Sequence, residues 1–197
     1  DAAYRAKNLR FYENNSTYNV FRAEECLGEI KLNVPGEHNI LNSLATVTLG
    51  LEMGLSFEII AKGIKSYKGV RRRFDIKGVH KNIMVVDDYA HHPTEVKATI
   101  LAAKDGWQRR IMTIFQPHLF TRTRDFYKEF ASALKLADYV ILTDIYPARE
   151  KPIPKISSRI IYDELYKVMG DNCILAPDLD NLNEIIFNEV KSGDMVI

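Results

Sequence analysis

Three loops in the second half of the sequence hold most of the side chains that could carry out chemistry. Each loop follows a short apolar segment, and the three segments are Ile83–Val86, Ile111–Phe115 and Tyr139–Leu142. The loops contain three of the five histidines, together with arginines and acidic residues. Ligands of open parallel sheets bind beyond the carboxyl ends of the strands. If the apolar segments are strands of one parallel sheet, these loops lie on one edge and form a binding site.

The first loop contains adjacent carboxylates, Asp87 and Asp88, and adjacent imidazoles, His91 and His92. Both residue types bind divalent metal ions. Adjacent residues of an extended chain point in opposite directions, so one member of each pair is expected to face a site. Alternatively, Asp87 bonds loop amides and His92 caps a helix that begins at Pro93. A single aspartate after a parallel strand also suits a ribose hydroxyl.

The second loop contains His118 and Arg122, directly before a predicted helix. Cationic side chains at a helix N-terminus favour an anion site, and arginine can hold a carboxylate through two hydrogen bonds. A solvated basic turn is the alternative. Arg124, two residues further on, is expected at the surface.

Two other segments could bind a nucleotide. One residue of Arg71–Arg73 could reach a phosphate, although three consecutive basic residues also suit a solvated hinge. Asn39 and Asn42 are three residues apart on a predicted helix and therefore share a face. Asparagine amides can pair with a purine edge, whereas Asn39 could also cap the helix.

The elements that position these residues alternate along the chain. Further apolar runs occur at 174–176 and 195–197, and helical patterns occur at 93–104, 123–136, 158–169 and 179–190. This alternation predicts βαβ units and an α/β domain with a mainly parallel sheet. Upstream, residues 18–34 predict two strands, and 38–53 and 57–66 predict two helices. The change of pattern places a domain boundary near residues 68–72.

Composition excludes several classes of protein. The 27 basic and 26 acidic residues give a net charge of +1, so no global field attracts nucleic acid or an acidic membrane. No apolar run approaches the roughly 20 residues that span a bilayer. Cys26 and Cys173 form no CxxC pattern, which suits a reducing compartment. The sequence contains no GxxxxGK[ST], GxGxxG or GxSxG motif.

The segments around these residues resemble motifs of the Mur ligase family. The matching segments are PGEHNILNSLA at 35–45, VRRRF at 70–74, DDYAHHPTE at 87–95, FQPHLFTRT at 115–123 and DIY at 144–146. They occur in the same order as in the family, and the resemblance runs from about residue 1 to 197. The segments at 87–95 and 115–123 are the most specific, whereas the segment at 35–45 alone would indicate only the wider family.

The resemblance implies an ATP-dependent and Mg²⁺-dependent ligase that adds L-alanine to UDP-N-acetylmuramate through an acyl phosphate. This reaction serves peptidoglycan precursor synthesis in the bacterial cytoplasm. The implied domains are the end of a central ATPase α/β domain at 1–70 and a nearly complete Rossmann-like C-terminal domain at 71–197. The chain is then expected to be an inactive fragment, with its phosphate loop and metal ligands upstream. The lack of an initiator methionine, and a last segment that reads as the opening of a strand, agree with that expectation.

The resemblance also implies roles for nucleotide-binding residues. Asn39 and Asn42 resemble the asparagines that contact adenine. Arg73 resembles the arginine that binds the nucleotide phosphates, and Asp88 resembles the aspartate that binds the ribose.

A second group of residues falls where the family binds the incoming amino acid. These residues are Tyr89, His91, His118 and Arg122, and Arg122 would hold the alanine carboxylate. Leu119 stands where many members have arginine. Carboxylate recognition is therefore expected to depend more on Arg122 and His118.

Three alternatives remain open. The murein-recycling ligase of the same family attaches a tripeptide to the same UDP-sugar and shares the HHPT loop. A stand-alone Rossmann-like nucleotide-binding module would have no chemistry of its own. A metal hydrolase would use the aspartates and histidines of the first loop. No nucleic-acid or membrane partner is expected for any of them.

Overall fold

A computed structural model describes residues 2–197, and the chain separates into two compact units. The first unit comprises the chain up to Phe74 together with Leu101–Gln108. The second comprises Asp75–Ile100 and Arg109–Ile197. No helix within residues 2–197 combines the length and the apolar character needed to cross a membrane.

The first unit contains an antiparallel sheet and two helices. The strands pair in sequence order, and the elements are β1 (Tyr4–Tyr12), β2 (Asn15–Arg22), β3 (Glu25–Leu32), α1 (Glu37–Glu52) and α2 (Phe57–Ser66). The two helices and the two strands predicted in this region are confirmed, whereas β1 was not predicted.

The core of the first unit lies between the sheet and the helices. Tyr18, Val20 and Ile30 from the strands are almost fully buried, as is Ile40 of α1. The Tyr18 hydroxyl forms a 2.8 Å hydrogen bond with Ser43 Oγ, which satisfies both buried groups. This packing fixes α1, and with it both of the asparagines predicted to bind adenine.

The second unit is an α/β sheet with flanking helices. Its strands are β4 (Asp75–His80), β5 (Ile83–Asp87), β6 (Ile111–Phe115), β7 (Tyr139–Leu142), β8 (Cys173–Leu175) and β9 (Met195–Val196). Its helices are α3 (Pro93–Gly106), α4 (Phe120–Leu134), α5 (Arg159–Met169) and α6 (Leu182–Glu189).

The sheet of the second unit is mainly parallel, as predicted. Its order is β4-β5-β9-β6-β7-β8, and only the β4–β5 pair is antiparallel. The central strands are buried, and every residue of β7 is inaccessible to solvent or nearly so. β9 separates β5 from β6, so the first and second loops follow strands that are not adjacent.

One further strand and two helix starts differ from the sequence prediction. β4 was not predicted because four of its six residues are exposed and give no apolar run. α4 begins at Phe120 rather than Thr123, and α6 begins at Leu182 rather than residue 179. The start of α4 depends on Leu119, whose φ of 74° turns the chain into the helix.

The two cysteines differ in environment. Cys26 is exposed on β3, whereas Cys173 is buried at the start of β8. Burial raises the pKa of the Cys173 thiol to about 11.

Candidate functional site

The loop after β5 is held by the first turn of α3. Pro93 is the first residue of the helix, and Glu95, the third, turns its carboxylate back toward the loop. Glu95 Oε2 accepts hydrogen bonds from the backbone N–H groups of His91 at 3.0 Å and His92 at 3.1 Å. This is the acidic half of a capping box. The His92 ring caps the helix as well, because its Nδ1 accepts from the Thr94 N–H at 3.4 Å.

His92 therefore has the structural role that was one of its two predicted alternatives. Its ring also packs edge-on against Phe126, with the centroids 5.2 Å apart. His91 differs from its neighbour, because its Nδ1 lies 2.8 Å from the carbonyl oxygen of Tyr89 and 3.4 Å from Glu95 Oε2. The Tyr89 and His91 rings are 5.0 Å apart.

The loop after β6 joins the loop after β7. His118 and Tyr146 form an isolated parallel bridge, and their rings stack with centroids 5.6 Å apart. The Leu119 N–H donates to the Tyr146 carbonyl at 3.0 Å, and the Tyr146 N–H donates to the Pro117 carbonyl at 2.8 Å. This backbone pairing fixes His118 where its ring meets the His91 ring, with a centroid distance of 6.0 Å.

The environment of His118 favours its neutral form. Burial lowers the pKa of His118, and the nearby charges of Arg122 and His91 lower it further, against a weaker effect of Glu150. Its Nδ1 is buried and is one of three such side-chain atoms without a hydrogen-bond partner within residues 2–197. A buried polar atom of this kind calls for an explanation, and a bound ligand would satisfy it.

Arg122 completes the cluster from the first turn of α4. Its Nη1 donates to the His91 carbonyl oxygen at 3.2 Å. The same turn is held by Glu150, which accepts from the Thr121 N–H at 2.9 Å and from the Thr121 hydroxyl. These hydrogen bonds lower the pKa of Glu150, so its carboxylate stays ionised.

The second unit thus brings together the four side chains predicted to bind the amino acid. We name these residues the four-residue pocket: Tyr89, His91, His118 and Arg122. The cluster combines one guanidinium, two imidazoles and a phenol, and so offers hydrogen-bond donors and one permanent positive charge to a small zwitterion. Their roles in binding remain predictions.

Three residues that help build this pocket were given no role in the sequence analysis: Glu95, Tyr146 and Glu150. Glu95 could have been recognised, because an acidic side chain at the third position of a helix that begins with proline indicates a cap. Tyr146 and Glu150 depend on pairing between distant loops, which leaves no local signal.

The two asparagines occupy the helix face expected of them. Asn39 and Asn42 line a cavity of about 570 Å³ between α1, α2 and β3 in the first unit. Asn39 does not cap the helix, because the cap position is Gly36. Its amide instead donates to the Pro35 carbonyl at 2.7 Å. The cavity is large enough for a purine nucleoside and mostly apolar in its lining.

The remaining predicted residues lie in separate parts of the chain. Arg73 is exposed in a turn of the first unit, in which its N–H donates to the Val70 carbonyl at 3.2 Å. Asp88 is partly buried directly after β5 in the second unit. Asp87 forms an ion pair with Lys77, in which Asp87 Oδ2 lies 3.5 Å from Lys77 Nζ. Arg124 is exposed, as expected, and its Nε donates to Asp125 at 2.7 Å.

The metal-hydrolase alternative requires a cluster of ligands. Within residues 2–197, no group of three or more histidine, cysteine, aspartate or glutamate side chains is arranged to hold a metal ion.

The second unit is an α/β sheet with basic side chains clustered beyond its strand ends, which is where ligands of such sheets bind. The family model described as "Mur ligase, glutamate ligase domain" matches residues 72–197, and the chain belongs to this family. It is 44% identical over 198 residues to the UDP-N-acetylmuramate–L-alanine ligase of Acetivibrio thermocellus, covering all of this chain and 42% of that protein. The chain therefore spans about two fifths of the length of the curated relatives it matches.

Solved structures show the same similarity. The UDP-N-acetylmuramate–alanine ligase of Thermotoga maritima matches with a TM-score of 0.80 and 30% identity, over 100% of this chain and 41% of that one. A murein peptide ligase of Psychrobacter arcticus matches with a TM-score of 0.62 and 20% identity, over 100% and 40% respectively. At that identity, the second match concerns the fold alone.

Proposed function

We propose that this chain is part of an ATP-dependent ligase that joins L-alanine to UDP-N-acetylmuramate in bacterial peptidoglycan synthesis, in the cytoplasm. The observation that carries the proposal is the four-residue pocket, in which two imidazoles and one guanidinium converge beyond the strand ends. The similarity to ligases of this specificity along the whole chain supports it.

In this proposal the pocket binds alanine as a zwitterion. Arg122 holds the carboxylate, because a guanidinium can make two parallel hydrogen bonds to it. His118 Nδ1, buried without a partner, supplies a further hydrogen bond. Leu119 adds no charge, so Arg122 supplies the permanent positive charge of this pocket.

For the nucleotide, the proposal keeps the roles that the family resemblance implies. Asn39 and Asn42 bind adenine at the 570 Å³ cavity, Arg73 binds the phosphates and Asp88 binds the ribose. ATP converts the muramate carboxylate into an acyl phosphate, and the alanine amine replaces the phosphate. Residues 1–70 would then belong to the ATPase domain and residues 71–197 to the C-terminal domain.

The test is phosphate release by the complete ligase that contains this chain, with UDP-N-acetylmuramate and ATP present. We expect release to require L-alanine and to be much weaker with a tripeptide. Preference for the tripeptide would instead identify a murein-recycling ligase. Tight ATP binding without any amino-acid-dependent phosphate release would identify a nucleotide-binding module.

A further inference from the structure

The contacts of His91 determine which of its ring nitrogens carries the hydrogen. Nδ1 lies 2.8 Å from the Tyr89 carbonyl oxygen and 3.4 Å from Glu95 Oε2. Both oxygens are acceptors, so Nδ1 must be the donor. In the neutral ring Nε2 then holds the lone pair. A carboxylate or carbonyl that fixes one nitrogen of a histidine in this way prepares the other nitrogen to accept a proton.

The same contacts would stabilise His91 after it has gained a proton. Glu95 carries a negative charge near Nδ1, and the Tyr89 carbonyl accepts from it in either protonation state. Glu95 is itself held by two backbone N–H groups, of His91 and His92, so the carboxylate does not need to move. Fixed groups of this kind cost little reorganisation when charge appears.

The other imidazole of the pocket has the opposite environment. His118 has a buried Nδ1 without a partner and faces the positive charge of Arg122. A second positive charge on this ring would be repelled by Arg122 and deprived of water. Its pKa is accordingly lowered. His118 is thus suited to a neutral hydrogen-bonding role, whereas His91 is suited to carry a proton.

We propose that His91 Nε2 is the base that takes a proton from the alanine ammonium group, and that Glu95 is the positioning residue that prepares it. This role rests on the proposed function, because alanine must bind in the four-residue pocket. An amine that carries its third proton has no lone pair and cannot attack. Besides Glu95, the charged or titratable groups that face His91 are Tyr89, His118 and Arg122.

The ammonium N–H bond breaks, and its proton passes to Nε2 of His91, which becomes an imidazolium. The freed nitrogen lone pair forms the C–N bond to the acyl carbon. The bond from that carbon to the phosphate oxygen breaks, and its electron pair leaves on the phosphate. The departing phosphate takes the second nitrogen-bound proton, and the imidazolium returns its proton to solvent.

The main experiment compares alanine with hydroxylamine in the complete ligase, using His91→Asn. Hydroxylamine is mostly unprotonated at neutral pH and traps acyl phosphates without a base. We expect kcat for alanine to fall at least about a hundredfold, as is usual on loss of a general base, with hydroxamate formation nearly unchanged. His92→Asn is the matched control and should keep normal activity, because asparagine also caps helices.

The pH profile supplies a second readout. In the wild-type enzyme, kcat/KM for alanine should depend less steeply on pH than in His91→Asn, because His91 takes the proton from the ammonium group. In His91→Asn it should rise about tenfold per pH unit across the neutral range, because only free amine reacts. In Glu95→Gln the glutamine oxygen can still accept the two N–H bonds, but the reaction with alanine should slow while hydroxamate formation is retained. A purely structural role for Glu95 would slow the reactions with alanine and with hydroxylamine alike.

Several outcomes would overturn the proposal. If His91→Asn lost its activity with alanine and with hydroxylamine equally, the residue would act at a step that precedes attack by the amine. A rise in the alanine KM at constant kcat would make it a binding residue only. Nitrogen-15 NMR of the 197-residue chain that shows the hydrogen on Nε2 of His91 would refute the tautomer independently of activity. If the wild-type enzyme forms no hydroxamate, the ligase function itself fails, together with this role.

Discussion

Arg110 and Asp194, which are 84 residues apart, form a two-point ion pair at the amino-terminal edge of the parallel sheet. Arg110 Nε lies 2.9 Å from Asp194 Oδ1, and Nη2 lies 2.7 Å from Oδ2. The aspartate is 2% exposed, and the Lys191 N–H donates to it at 2.7 Å. Arg110 precedes β6 and Asp194 precedes β9, so the pair ties together the starts of two hydrogen-bonded strands.

Loss of the arginine should destabilise the second unit. Arg110→Met leaves a buried carboxylate without its main partner, so we expect the free energy of unfolding to fall by about 3 kcal/mol. Urea denaturation of the chain measures this. Arg159→Met removes an exposed pair with Asp163 and should cost less than about 0.5 kcal/mol. Equal losses of stability on the two substitutions would contradict the stabilising role assigned to the Arg110–Asp194 pair.

The Arg110 effect should depend on pH. Burial would raise the pKa of Asp194, but the hydrogen bonds from Arg110 and the Lys191 N–H, together with the positive charges of both residues, outweigh it, and the net pKa is lowered. The folded state therefore holds the ionised form at a pH where the unfolded chain is already protonated. The stabilisation is present above the ordinary aspartate value of about 3.9 and is lost as pH falls below it. The difference between wild type and Arg110→Met should accordingly shrink as the pH falls below about 4.

Arg122→Ala should affect one substrate more than the other. In the complete ligase we expect the alanine KM to rise about tenfold or more, because a charge-assisted carboxylate contact is worth roughly 1.5–3 kcal/mol. The ATP KM should change little. Arg124→Ala on the same helix is the matched control, since this side chain bonds only Asp125 among the described contacts. Equal rises in both KM values would refute the assignment of Arg122 to the amino acid.

Substitutions of the two asparagines should distinguish a contribution to stability from a contribution to nucleotide binding. Asn39 donates to the Pro35 carbonyl at 2.7 Å, whereas Asn42 is exposed beside the cavity. Asn39→Ala should therefore lower both nucleotide affinity and the free energy of unfolding, the latter by about 1 kcal/mol. Asn42→Ala should weaken ATP binding with little effect on stability. Thermal unfolding without ATP measures stability, and the rise in the unfolding temperature on adding ATP reports ATP binding. If that rise were the same in Asn42→Ala as in the wild type, Asn42 would be excluded from the ATP site.

Gly50 and Gly63, in α1 and α2, should respond oppositely to alanine. A Cβ on Gly50 would lie 2.8 Å from Ile60 Cδ1, whereas one on Gly63 would have no neighbour within 4 Å. Gly63→Ala should stabilise the first unit by about 0.5–1 kcal/mol, because alanine favours helix. Gly50→Ala gains the same propensity but crowds Ile60, so its net effect should be smaller or destabilising. Denaturation midpoints compare the two, and equal stabilisation would contradict the close packing at Gly50.

The sequence predicted the elements whose burial leaves a pattern. β6 and β7 are continuous apolar runs, and α2 carries both a periodic apolar face and the Ser56 cap, whose side chain accepts from the Ile59 N–H. β4 is an exposed edge strand, and exposed strands lack that signal. The position of β9 between β5 and β6 arises from long-range pairing, which no local pattern encodes.

The candidate pocket was predictable only in part. Loop positions and motifs predicted that His91, His118 and Arg122 lie near one another, because strand ends are where ligands bind. The different characters of the two histidines come from Glu95 on one side and Arg122 on the other. That difference depends on side-chain distances, which the order of residues does not contain. The bridge between His118 and Tyr146 likewise joins two distant loops.

The unequal burial of the two cysteines gives the chain its own reporter of unfolding. A thiol-reactive dye at neutral pH should label Cys26 in the intact protein, because this residue is exposed. Cys173 is shielded, and few of its thiols are ionised, since burial raises its pKa to about 11. The second equivalent of dye should therefore react only when β8 separates from the sheet. Counting labels by mass would follow the opening of that edge without any engineered probe.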